Sequence, residues 1–84
     1  MSVRSEILEQ FQQVATEQDK RLGPLNDELP LLDSGLDSLC FAILVSRLEV
    51  ELGVDPFNEN TSTPFPVSVG EFIRYYENAV QQLP

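Results

Sequence analysis

Ser38 stands between Asp37 and Leu39, directly ahead of an apolar-patterned stretch that meets no Gly or Pro until Gly53. A serine at the start of a helix can carry a phosphodiester. The free N–H groups of the first turn and the positive end of the helix dipole favour negative charge there. Such a position is also exposed, so a modifying enzyme can reach the hydroxyl. The competing use of these residues is structural: Ser38, or Asp37 beside it, caps the helix. Cys40 is near the same helix start, which can lower a thiol pKa. A catalytic cysteine wants a histidine base, however, and the chain has none. A small semi-buried residue is the simpler reading of Cys40. One cysteine, no histidine and no calcium-loop spacing give no metal site. No Gly-rich phosphate loop and no acid–base pair can be assembled, so the chain is not expected to be an enzyme.

Three stretches of helical periodicity must position Ser38. In residues 3–22, Val3, Ile7, Phe11, Val14 and Leu22 recur at helical spacing, with Leu8 and Ala15 widening the stripe. Ser2 is the candidate cap, Lys20 and Arg21 suit the end of the dipole, and Gly23-Pro24 is a stop signal. Residues 23–37 have no regular period but carry Leu25, Leu29, Leu31, Leu32 and Leu36, which predicts a loop packed onto the core. Asp33-Ser34-Gly35 is a turn signal in which Gly35 supplies positive φ. Residues 38–52 form the second helix, with a core stripe of Phe41, Leu44, Val45, Leu48 and Leu52 and a stop at Gly53. Residues 54–67, with Pro56, Pro64 and Pro66, read as loop with one short helical turn near 57–60. Ser68-Val69-Gly70-Glu71 has the spacing of a capping box and opens a last helix whose apolar face is Phe72, Ile73, Tyr76, Ala79, Val80 and Leu83. No strand alternation, repeat or low-complexity tract is visible. The fold class is all-α, a small bundle of three main helices in one domain spanning 1–84.

Charge narrows the partners. Fourteen acidic residues against five basic ones give a net charge of −9 in 84 residues. That argues against nucleic acid and against an anionic membrane surface, both of which call for Lys and Arg. It favours partners with a basic patch, although charge of this sign also serves solubility alone. The single cysteine fits a reducing compartment. The N-terminal residues lack the apolar run of a signal peptide, and the longest apolar run, 40–45, is too short for a bilayer. A soluble, cytoplasmic monomer is expected.

The stretch Leu31-Leu32-Asp33-Ser34-Gly35-Leu36-Asp37-Ser38-Leu39 resembles the phosphopantetheine-attachment motif of acyl carrier proteins. The likeness extends over nearly the whole chain: first helix, leucine-bearing loop, motif, second helix and final helix. It implies a four-helix bundle whose third helix is short. It also implies that a phosphopantetheinyl transferase esterifies Ser38 with 4'-phosphopantetheine from coenzyme A. The terminal thiol of that arm would carry an acyl or aminoacyl group as a thioester. An acyl- or aminoacyl-activating ligase and downstream acyl-processing enzymes, in fatty-acid, other lipid or secondary biosynthesis, would be the partners. In that family the region of Asp37 contacts the transferase, and Leu39 matches an exposed leucine that meets partners.

The chain departs from the family where its second helix is usually acidic. Here Cys40-Phe41-Ala42-Ile43 follows the motif, with only Glu49 and Glu51 acidic in the helix. Together with Leu39, the residues Cys40, Ile43, Arg47 and Val50 are read as a partner surface opposite the core stripe, with packing of this face on a loop as the equal alternative. A specialised carrier, distinct from a general fatty-acid carrier, is the reading that follows. Phe41, Leu44, Val45, Leu48, Phe72, Ile73 and Tyr76 are expected to line an acyl pocket, with Phe41 near its mouth. An acidic helical adaptor, binding a protein through the second helix and carrying no prosthetic group, is the alternative.

Overall fold

The computed structural model describes residues 2–57 and 65–82. Helix α1 spans Val3–Glu17 and begins as the sequence predicts: Ser2 is extended, and its hydroxyl accepts the Ser5 N–H at 3.0 Å. Ile7, Phe11, Val14 and Ala15 are buried along one face, while Val3 and Leu8 pack beside them. The helix ends earlier than the expected 22. Asp19 turns into the left-handed region (φ 56), and two bonds close the end: Lys20 N–H to Ala15 O at 2.8 Å and Asp19 N–H to Thr16 O at 3.3 Å. This is a Schellman closure with aspartate where glycine is usual. Lys20 and Arg21 therefore lie beyond the helix rather than in its last turn.

The connection from 18 to 37 is packed down, as its leucines predict. Leu31 and Leu36 are buried, and Leu22, Leu25 and Leu29 lie against the core, but Leu32 is 93% exposed. A short 3-10 turn spans Leu31–Asp33. Three backbone bonds stitch this connection to the start of the last helix and the residues just before it. Leu31 N–H donates to Val67 O (2.8 Å), Val69 N–H to Leu29 O (2.9 Å) and Gly70 N–H to Asp27 O (3.0 Å). Gly70 permits that approach, since a Cβ there would sit 2.9 Å from Asp27. These bonds give a segment without regular structure the backbone partners that burial demands.

Helix α2 spans Ser38–Leu52, the range expected, and Gly53 ends it at φ 73 with its N–H on Glu49 O at 2.8 Å. Helix α3 spans Val69–Gln81, capped by Ser68, whose hydroxyl accepts the Glu71 N–H at 3.2 Å. The return bond of the capping box is displaced by one residue: Glu71 Oε2 accepts from Val67 N–H at 3.4 Å. Helix α1 packs on both α2 and α3. Phe11 joins the layers, with ring centroids 5.6 Å from Phe72 and 6.3 Å from Phe41. The three helices and one isolated bridge, Pro30 with Ser68, make a small helical domain without strands among the described residues. No helix among them is long and apolar enough to cross a membrane. The short turn expected near 57–60 and the apolar position Leu83 lie outside the described residues, Phe57 excepted; Phe57 sits half-buried against Phe72 and Tyr76.

One core group is left unpaid for by hydrogen bonding. The Tyr76 hydroxyl is buried and has no hydrogen-bond partner among the described residues, and burial pushes its pKa up. A desolvated hydroxyl without a partner costs about 1–3 kcal/mol. Tyr76→Phe should therefore stabilise the fold by about 1 kcal/mol, raising the thermal midpoint by about 4–8 °C. A lowered midpoint would show that the hydroxyl has a partner in solution.

Candidate attachment site and the cleft beside it

The start of α2 divides its tasks between two neighbouring side chains. Asp37 is extended (φ −94, ψ −178), and its Oδ1 accepts the Cys40 N–H at 2.9 Å. Asp37 is thus the cap, and Ser38 is the first residue of the helix proper. Ser38 is exposed. The second Asp37 oxygen, Oδ2, lies 3.3 Å from Lys20 Nζ. That pairing exists because α1 closes at Asp19 and releases Lys20 into the connection.

The hydrogen bond from the Cys40 N–H, then that from the Cys40 side chain, then Lys20 hold the Asp37 carboxyl at a pKa of about 2. A pKa depressed by folding stabilises the folded state above the unfolded value near 4 and ceases to do so as pH falls toward 2. Asp37→Ala should accordingly lower the thermal midpoint at neutral pH. The gap between variant and parent should narrow between about pH 4 and pH 2. Melts recorded across that range check this; a gap independent of pH would mean that the charge of Asp37 does not stabilise the helix start.

Cys40 is only 1% exposed, and burial is the first cause raising its thiol pKa. This corrects its place on the expected partner surface. Cys40, Leu44 and Leu48 repeat at i, i+4, i+8, and all three are buried. The buried arc of α2 is therefore turned toward Cys40 compared with the expected stripe, and Val45 is left at its edge, half-buried. Ile43 is also half-buried against the core. Arg47 reaches across to α1, pairing with Glu17 and donating to Gln13 (3.2 Å) and Gln10 (3.4 Å). Its guanidinium straps two helices together and is not left for a partner. Of the expected surface, Leu39 and Val50 are exposed. Eleven residues separate them, roughly 16 Å along the axis.

The expected pocket residues also divide. Leu44, Leu48, Phe72, Ile73 and Tyr76 are fully buried in the core. Phe41 and Val45 instead border an apolar cleft of about 740 Å³ on the adjoining face of α2. Its walls come from three separate segments: Pro30–Leu36, the first two turns of α2, and Phe65–Val67. Asp37 and Ser38 form part of the same lining. Phe41 is the partition between core and cleft, edge-on to Phe11 inside and to Phe65 outside, each at 6.3 Å. Sequence reasoning missed Phe65, Val67 and Ala42. The signal for the first two was an apolar pair interleaved with prolines, Pro64-Phe65-Pro66-Val67.

Comparison with known proteins found no matching family model, no similar curated protein and no similar solved structure.

Proposed function

We propose that this chain is a carrier protein that bears 4'-phosphopantetheine on Ser38 and passes thioester-bound acyl or aminoacyl groups between enzymes. The observation that carries the reading is the division of labour at the start of α2. Asp37 caps the helix through Oδ1, so Ser38 is exposed and free of that task, at the edge of an apolar cleft. The residues fit a phosphate-linked group. A phosphodiester on Ser38 would meet the N-terminal end of a helix of 15 residues. The nearby Asp37 carboxylate, which would repel it, is already compensated by the Cys40 N–H and by Lys20.

Attachment is a displacement at phosphorus. The Ser38 oxygen forms the new P–O bond to the pantetheine phosphate of coenzyme A. The pyrophosphate bond breaks, the nucleotide half leaves, and the serine proton passes to a base of the transferase. Once attached, the arm supplies a thiol for thioester formation. The chain itself orients the arm by fixing the helix start, and it contributes no nucleophile–base pair of its own. The cargo belongs to a fatty-acid-like or secondary biosynthetic pathway, and the activating ligase and acyl-processing enzymes are the remaining partners. The adaptor alternative is the weaker reading, because the helix surface it needs is reduced: Cys40 is buried, and Arg47 is engaged by α1.

The test is intact mass after incubation with coenzyme A and a broad-specificity transferase. One added phosphopantetheine is the expected product. A wild-type protein that stays unmodified with several such transferases overturns the proposal, and an unmodified mass for protein taken from its native host favours the adaptor.

A further inference from the structure

The attachment serine lies next to a carboxylate in a chain with fourteen acidic residues and only five basic ones. Two of those five are engaged elsewhere: Arg4 pairs with Asp27 and Arg47 with Glu17. Lys20 is the cation at the start of α2, with Nζ 3.3 Å from Asp37 Oδ2. We infer that Lys20 is a positioning residue for the modification of Ser38: it holds Asp37 and cancels the negative charge that the incoming phosphoryl group would otherwise face. The inference rests on the carrier reading and adds to it a residue that lies outside the attachment motif.

The backbone delivers Lys20 to this place. Asp19 turns into the left-handed region at φ 56, and the Lys20 N–H is fixed on Ala15 O at 2.8 Å. Further along, the Gly23 N–H is held by Ser34 O at 2.9 Å, so the segment lies against the motif. Asp37 is then gripped at both oxygens, Oδ1 by the Cys40 N–H at 2.9 Å and Oδ2 by Lys20. The side chains of Lys20 and Asp37 are 37% and 53% exposed, and a pair so open to water adds little to stability. Its effect lies next door. Ser38 follows Asp37 directly, and coenzyme A brings several negative phosphate charges to the Ser38 oxygen. During transfer the new P–O bond forms there, the pyrophosphate bond breaks, and the serine proton passes to the transferase's base. Negative charge stays on the phosphoryl oxygens throughout. An unpaired carboxylate one residue away raises that barrier, and the Lys20 ammonium cancels the repulsion.

The test is steady-state kinetics of phosphopantetheine addition, with coenzyme A and a broad-specificity transferase, on variants whose fold is verified by thermal melts. Lys20→Gln should lower kcat about four-fold, the size of one unit charge acting across a wet site, and move the KM for the carrier by less than about two-fold. Raising the ionic strength to about 0.5 M should shrink the loss. Lys20→Arg should restore the parent rate. Arg21→Gln removes the same charge one residue on, from an exposed side chain without an ion pair among the described residues. It should stay within about two-fold of the parent. Asn caps a helix as well as Asp does, so Asp37→Asn keeps the helix start and removes the charge. In that background Lys20→Gln should change kcat by less than about 1.5-fold. An undiminished loss there would show that Lys20 acts as structure alone, and would overturn the inference. So would an equal loss in Arg21→Gln, a loss confined to KM, or faster modification of Lys20→Gln. A parent chain that several transferases leave unmodified overturns the carrier reading and this role together, whereas equal rates for parent and Lys20→Gln overturn the role alone.

Discussion

Ser38→Ala should abolish phosphopantetheine addition and leave the thermal midpoint within about 4 °C of the parent. Both halves follow from the position of the residue. Were Ser38 the cap, its removal would cost the helix start a hydrogen bond, and loss of modification would be confounded with loss of structure. The cap is Asp37 instead, whose Oδ1 holds the Cys40 N–H. Alanine at the first helical position is a better helix former than serine, by a few tenths of a kcal/mol. Two other serines provide internal controls. Ser34 belongs to the same motif, but it is fully buried and donates its hydroxyl to Leu31 O at 2.7 Å, so no transferase reaches it without unfolding the turn. Ser46 is exposed on α2, eight residues beyond Ser38 and away from the helix start. Residual addition to the Ser38→Ala variant, mapped to Ser46, would break the link between modification and helix geometry. A large fall in midpoint would show that Ser38 has a structural duty that the capping geometry assigns to Asp37.

The helices were legible in the sequence where local chemistry alone decides their ends. Asp37 and Gly53 bracket α2 because a capping carboxylate and a left-handed glycine act within one turn of the chain. Ser68 opens α3 for the same reason. The end of α1 was not legible. Its stop is an aspartate at positive φ, four residues before the Gly23 that signals a stop, and apolar spacing continues through Leu22. The leucines of the connection predict that it packs, but periodicity cannot single out Leu32, whose exposure follows from the stitching of Leu31 to Val67.

The site divided along the same line. Asp37, Ser38 and Leu39 are contiguous, and their roles at a helix start follow from local rules. The cleft needs Pro30–Leu36, α2 and Phe65–Val67 to meet, and no local pattern records that meeting. Cys40 was misplaced because a helical stripe read from sequence has a centre uncertain by about one residue, and the packing against α1 turned that centre toward it. Arg47, placed on the outer face by spacing, is drawn to α1 by Glu17 and by Gln10, which is itself buried.

Gly35→Ala should be the most damaging single-methyl change in the motif, costing at least about 3 kcal/mol and lowering the midpoint by more than about 12 °C. Gly35 sits at φ +102, where an L side chain is strained by about 1–3 kcal/mol. A Cβ there would also lie 2.1 Å from Arg21 O and 3.1 Å from Arg21 C. The obstacle is backbone, so no rotamer change relieves it. Nor can that stretch of backbone retreat freely, since Gly23 N–H is bonded to Ser34 O at 2.9 Å, next to Gly35. Gly53→Ala is the matched comparison: its φ of 73 carries a similar conformational penalty, but a Cβ there meets nothing within 4 Å. It should cost about 1 kcal/mol. The difference between the two variants in denaturant-induced unfolding isolates the clash from the strain. Equal losses would mean that the turn can move away from Arg21. Movement there would not be silent, because Leu36, next in the chain, is buried in the floor of the cleft and Ser38 follows two residues later. Gly35→Ala should therefore slow transferase modification even at temperatures where it remains folded, which Gly53→Ala, at the opposite end of α2, should not.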